Sequence, residues 1–320
     1  MHKRKSWLIT AGFFVICGGL LFAGALGAEQ WDFTKLSSVK YETNVYEPEG
    51  DFNQMMIQTD TADISFLRSS DGKCRVECFE TEKVKHRVSL ENQCLKVEKE
   101  YLRVWYDHIR FLVFKSPKLN IYLPQAAYDS LMITTATGDV ALPAYFTFQT
   151  IKIEGNTADI ECLAKAEHSL IIESDTGDIK IAANSAKSIR LSADTGDMFL
   201  SDGKAADQIK IESDTGRVRM EQVECQELLI ESNTGDVFLK NTVASRRMAV
   251  ETDTGDLSLK ACDGGELLIT TDTGDVEGTL LSEKIFIARS DTGRIEVPKT
   301  ITGGRCEITT DTGDIKIDIK

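Results

Sequence analysis

The chain has 320 residues, of which 42% are hydrophobic and 28% are charged, with 51 Asp and Glu against 37 Lys and Arg. The resulting net charge of -14 excludes the class of proteins that bind nucleic acid through a basic surface, so we expect no nucleic-acid partner. The length allows one or two folded domains.

The first predicted element is a membrane-spanning helix. A basic cluster at residues 2–5 precedes 22 uncharged residues, Trp7 to Ala28. At 1.5 Å per residue this run is about 33 Å long, enough to cross the hydrocarbon core of a bilayer. Positive charge before the run places the N-terminus in the cytoplasm. We therefore predict a single-pass membrane anchor in domain 1–28, with the bulk of the chain extracytoplasmic.

A cleaved signal peptide is the alternative interpretation of the same run. The segment Ala23-Gly-Ala25 has the small-residue spacing of a cleavage site. Because the apolar run is longer than a usual signal core, the retained anchor is favoured. Either interpretation exports the remainder of the chain.

Residues 29–129 are predicted to form a β-rich region with one degenerate copy of a repeat. That copy spans 56–66 and has Ala62 where a turn glycine would stand. Strand-like runs follow at 75–79, 84–90, 95–98 and 120–123. We expect these extra strands to cover the open end of the repeats, with the aromatic-rich segment 101–114 in the core of this cap.

Residues 130–320 repeat a strand, an Asp-Thr-Gly-Asp turn and a second strand, as in Ile172 to Ile181. Apolar residues alternate on both sides of the turn, which is the pattern of two short strands. The turn position recurs every 19 or 20 residues, at 138, 158, 177, 196, 216, 235, 255, 274, 293 and 313. This period predicts a solenoid.

The predicted fold is therefore all-β: a parallel β-solenoid of about ten coils, preceded by the transmembrane helix and the capping region. Ten coils stacked at roughly 4.8 Å make a rod about 48 Å long. No cap is apparent at the other end. We expect the alternating charges of Asp314, Lys316, Asp318 and Lys320 to protect the last strand from edge-to-edge pairing.

We interpret the eight cysteines as small, buried, apolar side chains rather than as metal ligands or a disulfide framework. Those in the repeats lie at different distances from the turn glycine, so they form no ladder. A bridge from Cys74 to Cys78 or Cys94 is the best disulfide candidate.

The combined pattern resembles a bacterial domain family of unknown function known as "putative adhesin". The resemblance rests on the N-terminal span, Asp32-Phe33-Thr-Lys-Leu36, Ile121-Tyr-Leu-Pro124 and the Ser/Thr-Asp-Thr-Gly-Asp-Ile/Val coils, and it covers most of the chain beyond Gln30. It implies a surface-exposed β-solenoid, often membrane-anchored in Gram-positive bacteria and found near envelope-stress genes. The family has no agreed catalytic residues to carry over.

No catalytic constellation is visible in the sequence. The four histidines are scattered, and neither a metalloprotease, a nucleophile-elbow nor a phosphate-loop motif occurs. A glycan-active β-helix enzyme remains an alternative by fold alone, which does not license a function. We expect no enzymatic activity and no cofactor.

The acidic turns provide a candidate calcium site. Stacked carboxylates repel unless they are hydrogen-bonded, hydrated or bridged by a cation, and calcium accepts such oxygen ligands. Local turn bonding by the first Asp is the favoured alternative. Arg217 and Arg294 replace the second Asp in two coils and would expel a metal there. The candidate ligands are Asp175, Asp178, Asp194, Asp197, Asp253, Asp256, Asp272 and Asp275.

A second candidate site is an apolar stripe on the outward face, six residues before the turn glycine. It consists of Leu229, Ala249, Leu268 and Ile287. Such a patch indicates a partner surface, or else a face covered by part of the N-terminal region.

Three functions follow in order of preference. The first is a membrane-anchored rod for adhesion or envelope-stress sensing, with an envelope protein or surface polymer as partner. The second is a calcium- or polysaccharide-binding module, and the third is the glycan-active enzyme.

Overall fold

The computed structural model describes residues 41–81, 84–101, 116–124 and 126–320, together with Gly18. The 24 elements that these residues form are all β-strands. None of the described residues belongs to a helix long and apolar enough to span a bilayer. The predicted anchor at 7–28, apart from Gly18, and most of the aromatic segment 101–114 lie outside the described residues.

The body of the fold is a parallel solenoid in which each strand pairs with the strand one coil away, for example Ile172 with Leu191. The coils are predicted correctly by the 19- to 20-residue period, because each coil brings equivalent residues into register. The strands of the body are β8 (Ala127–Thr135), β9 (Val140–Leu142), β10 (Thr147–Thr157), β11 (Ile160–Cys162), β12 (Lys165–Thr176), β13 (Ile179–Ala182), β14 (Ser188–Thr195), β15 (Met198–Ser201), β16 (Gln208–Thr215), β17 (Val218–Thr234), β18 (Val237–Thr254), β19 (Leu257–Thr273) and β20 (Val276–Leu280).

The core consists of the apolar residues that the alternation predicts to point inward. Leu170 and Ile172 before the turn, and Ile179 and Ile181 after it, are each no more than 1% exposed. Equivalent residues of neighbouring coils stack directly on them. This continuous column is what lets coils too small to fold alone bury their apolar faces.

The turn glycines are required by close stacking as well as by backbone conformation. Gly216 has a φ of 147°. A Cβ built on it would lie 1.9 Å from the carbonyl oxygen of Gly196 in the neighbouring coil. Any side chain here would therefore separate two coils. Gly177 and Gly274 show the same geometry.

The second turn of several coils uses a left-handed residue that is not glycine. In five successive coils one residue at this turn has a φ between 50° and 56°. Such a conformation strains a residue that carries a Cβ. The residues are Ala183, Asp202, Gln222, Asn241 and Ala261.

The N-terminal region adds strands at one end of the solenoid, as expected, and the structure shows that they pair antiparallel. Its strands are β1 (Tyr41–Tyr46), β2 (Gln54–Gln58), β3 (Asp63–Arg68), β4 (Arg75–Thr81), β5 (Val84–Glu91), β6 (Cys94–Tyr101) and β7 (Lys118–Leu123). The coil β2–β3 lies inside the stack, between β8–β9 and the outer coil β6–β7. Strand β4 then pairs antiparallel with β7 and β1, and β5 pairs antiparallel with β6.

The C-terminal coils are stacked out of chain order. The four last strands are β21 (Lys284–Thr292), β22 (Ile295–Glu296), β23 (Gly304–Thr312) and β24 (Ile315–Ile319). The last coil, β23–β24, pairs on one side with β19 and β20 and on the other with β21 and β22. The coil that precedes it in the chain is therefore the outermost one. The expectation that the charged strand at 314–320 forms the edge is wrong at Ile315 and Lys316, which pair with β22. It holds at 317–319, which pair with β20 on one side and with no described strand on the other.

The cysteines are mostly buried apolar residues, as expected. Cys74, Cys78 and Cys94 are free thiols, so the candidate bridge from Cys74 is not formed. Burial raises the pKa of the Cys74 and Cys162 thiols to about 12. These thiols act as core side chains rather than as reactive groups.

Candidate interaction surfaces

The second aspartate of each turn links one coil to the next. The Oδ1 atom of Asp159 accepts the backbone N–H of Asp178 at 2.9 Å, and Asp178 accepts that of Asp197 at 2.8 Å. Asp256 accepts the N–H of Asp275 at 2.9 Å in the same way. These carboxylates satisfy backbone donors at the corner where the ladder of strand hydrogen bonds is interrupted.

These aspartates form two runs along the rod, and each run ends on an arginine. Arg217 donates its backbone N–H to Asp197 Oδ1 at 2.9 Å and its Nη2 to Asp197 Oδ2 at 2.5 Å. The guanidinium lowers the pKa of Asp197 through this side-chain hydrogen bond. Stacked carboxylates repel one another, and an arginine at the end of the row offsets part of that repulsion. The runs are Asp63, Asp139, Asp159, Asp178 and Asp197 before Arg217, and Asp236, Asp256, Asp275 and Asp314 before Arg294.

The first aspartate of the turn does not make the local hydrogen bonds that the sequence predicts for it. Asp175, Asp194, Asp253 and Asp272 are exposed and, among the described residues, accept no hydrogen bond. The predicted local turn bonding by this Asp is therefore wrong. The structural capping role belongs instead to the second Asp, which acts between coils rather than within its own turn.

The eight predicted calcium ligands lie on one edge of the rod. Within the described ranges, none of them joins two other metal-ligating side chains in a compact group. In the second row, one oxygen of Asp256 is already occupied by a backbone N–H. Calcium prefers six to eight oxygen ligands, which these separated carboxylates do not gather. Calcium binding stays a prediction to be measured.

The predicted apolar stripe is shorter than expected. Leu229 pairs with Ala249, and Ala249 pairs with Leu268, so these three residues adjoin as predicted. The next residue along the rod is Glu307, because β23 lies beside β19. Ile287 follows only after Glu307. The inclusion of Ile287 in the stripe is therefore wrong, and the reason is the inverted order of the last two coils.

Ile287 belongs instead to an open edge at the C-terminal end of the rod. Of the described strands, β21 pairs only with β23, and β22 only with β24. Ile285 is 45% exposed, Ile287 49% and Ile295 42%. Phe286 is only partly buried, although equivalent residues of the inner coils are fully covered. We call these residues and the outer edges of β21 and β22 the distal edge.

Sequence reasoning missed the distal edge as a site. The only signal is the run Ile285-Phe286-Ile287-Ala288, which is one apolar residue longer than the runs at 228–230, 248–250 and 267–269. Such a run predicts a strand apolar on both faces. An unpaired strand of this kind is a template for pairing with another chain.

The solved structures that resemble this chain do so at low sequence identity. A search of curated proteins finds no match to this chain. Among solved structures, a "putative adhesin" of Bacteroides fragilis is 15% identical, with a TM-score of 0.35 over 88% of this chain and 97% of that one. A "putative adhesin" of Parabacteroides distasonis is 11% identical, with a TM-score of 0.40 over 89% and 98%.

A family model describes the repeats and most of the cap. It matches residues 52–320, which covers the solenoid body, the coil β2–β3, the cap strands β4–β7 and the distal edge. The resemblance drawn from the turn motif is thereby confirmed. The chain belongs to the family described as Toastrack DUF4097.

Proposed function

We propose that the chain is a non-enzymatic interaction rod displayed outside the cell. Residues 7–28 hold it in the membrane, and the solenoid serves as an adhesin or as an envelope-stress-associated scaffold. The partner is an envelope protein or a surface polymer. The acidic charge of -14 favours this role over binding to nucleic acid.

The observation that carries this proposal is the difference between the two ends of the rod. The end that holds β1 is covered by antiparallel strands. The other end presents the distal edge, where Ile285, Ile287 and Ile295 are exposed. Since β1 follows the apolar run in the chain, an anchored rod would direct its closed end toward the membrane and its open end away from it.

A partner can bind at the distal edge because no described strand pairs with the outer edge of β21. An edge strand offers unpaired N–H and C=O groups to a partner that adds a strand, and alternate side chains supply specificity. The isoleucines add apolar contact area at about 25 cal/mol per Å² removed from water.

The test compares two doubly charged variants of the full, membrane-anchored chain. Ile287→Lys with Ile295→Lys alters the distal edge, and Leu229→Lys with Leu268→Lys adds the same charge to the stripe. After gentle crosslinking in cells, we expect the edge variant to recover at least about tenfold less partner than the native chain, because two anchor residues are lost. The stripe variant should recover the native amount.

Equal recovery by the native chain and the edge variant would contradict the proposal. Melting curves of both variants establish that the rod remains folded. Recovery of a membrane sensor would favour the envelope-stress role, whereas recovery of cell-wall or host-surface material would favour adhesion.

A further inference from the structure

A compact group of three metal-ligating side chains lies in the N-terminal cap, away from the surfaces described above. Cys78 and Glu80 are two residues apart on β4, so both point to the same inner face. His86 lies on the neighbouring strand β5. One donor atom from each lies within 4.8 Å of the others. Cys78 and Glu80 are 0% exposed, and His86 is 4% exposed.

The outer donor atoms of this group are held by two further side chains. Asn44 donates its Nδ2 to Glu80 Oε1 at 2.6 Å. The hydroxyl of Thr59 lies 3.1 Å from His86 Nε2. Hydrogen bonds of this kind orient metal ligands and fix the histidine tautomer. Glu80 Oε2 and His86 Nδ1 are 2.8 Å apart, and Glu80 Oε2 also accepts the backbone N–H of His86 at 2.7 Å.

We propose that Cys78, Glu80 and His86 bind a divalent transition-metal ion, with zinc as the ion that suits the donors. A thiolate, an imidazole nitrogen and a carboxylate oxygen form a zinc ligand set, and the fourth tetrahedral position accepts a water molecule. Sulfur and nitrogen donors select against calcium and magnesium.

Metal binding at this site would hold the strands of the cap together and connect the cap to the solenoid. The ligands join β4 to β5, and Asn44 and Thr59 connect them to β1 and to the end of β2. On binding, the Cys78 thiol proton passes to solvent, because the thiolate is the metal ligand. Three protein ligands and a water are typical of catalytic zinc, but the burial of all three ligands shields this ion from a substrate, so we assign it a structural role.

The test uses the full chain purified in detergent, stripped with a chelator, loaded with zinc chloride and dialysed. We expect about one zinc per chain in the native protein and a higher Tm than in the stripped form. Cys78→Ser and His86→Gln should retain no zinc. Cys74→Ser is the matched control, because this nearby buried thiol is outside the group.

A second measurement does not depend on the variants being folded. X-ray absorption of the zinc-loaded native chain should show one sulfur ligand together with nitrogen or oxygen ligands. A coordination shell without sulfur would overturn the proposal, as would dialysed native protein that holds no zinc. In either case Glu80 and His86 form a hydrogen-bonded pair without a metal.

Discussion

The backbone N–H of Arg294 donates to Asp314 Oδ1 at 2.8 Å, although Arg294 precedes Asp314 by 20 residues. Every other bond of this ladder runs from a later residue to an earlier aspartate, as from Arg217 to Asp197. The reversal occurs because β21–β22 is stacked outside β23–β24. The reversed direction of this hydrogen bond is therefore a consequence of the inverted order of the last two coils, which also creates the distal edge.

The ladder predicts unequal roles for the two aspartates of one turn. Asp256→Ala should lower the free energy of unfolding by about 1 kcal/mol, because the N–H of Asp275 loses its acceptor. Asp253→Ala, in the same turn, should change it by less than about 0.5 kcal/mol. Urea unfolding followed by circular dichroism measures both. Equal effects of the two substitutions would show that the hydrogen bond between coils does not contribute to the free energy of unfolding.

The turn glycines should tolerate no side chain. Gly216→Ala places a Cβ 1.9 Å from the Gly196 carbonyl oxygen at a φ of 147°. The backbone conformation alone costs roughly 1–3 kcal/mol for a residue other than glycine, and displacement of the coil adds to this. Gly203→Ala is the control, since its Cβ would meet only side-chain atoms of Leu200, at 3.3 Å or more. Thermal melting that shows similar losses for both would contradict the stacking explanation.

Neighbouring alanines at the second turn should respond to glycine in opposite directions. Ala183 has a φ of 52°. In Ala183→Gly, relief of the left-handed strain stabilises the folded state by about 1–2 kcal/mol. The greater freedom of glycine in the unfolded chain costs about 0.4–1 kcal/mol of stability. The free energy of unfolding should therefore rise slightly. Ala182→Gly, within β13, should destabilise by about 0.5–1 kcal/mol. The urea midpoints of the two variants should therefore lie on opposite sides of the native value.

The Asp197–Arg217 pair makes stability depend on acid pH. Because the folded-state pKa of Asp197 is lowered, the unfolded chain binds a proton more readily. The stabilisation is present above the unfolded pKa and is lost as the pH falls through the folded pKa. Urea midpoints measured from about pH 5 to about pH 2 should fall less steeply in Arg217→Gln than in the native chain. Parallel profiles would mean that the pair does not contribute.

Calcium should leave the rod unchanged. The second aspartates already accept backbone N–H groups, as Asp178 does from Asp197, and the first aspartates Asp253 and Asp272 are exposed. We expect calorimetric titration to give no saturable heat and calcium to leave Tm unaltered. The double variant Asp253→Asn with Asp272→Asn should behave like the native chain in this titration. A saturable calcium response that this variant abolishes would restore the metal hypothesis.

Much of the fold follows from the sequence because period and alternation are local properties. Leu170, Ile172, Ile179 and Ile181 are assigned to the core by spacing alone, and all are buried. Coil order is not a local property. The Gly293 and Gly313 turns carry equivalent phrases, and nothing in their spacing says which coil lies outside.

The candidate sites were harder to predict for the same reason. The adjacency of Leu229, Ala249 and Leu268 follows from consecutive coils, whereas that of Ile287 requires the coil order. The group of Cys78, Glu80 and His86 depends on how β4 and β5 fold over the stack. A hairpin outside the repeat leaves no periodic signal.

Site-specific photocrosslinking in living cells tests the central claim that the distal edge is the surface that binds a partner. A photoreactive residue is placed at Ile287 on this edge, or at Ala249 on the stripe, in the membrane-anchored chain. Ile287 should form adducts with another molecule, and Ala249 should form few or none. Adducts at Ala249 with none at Ile287 would contradict the account and assign binding to the side of the rod.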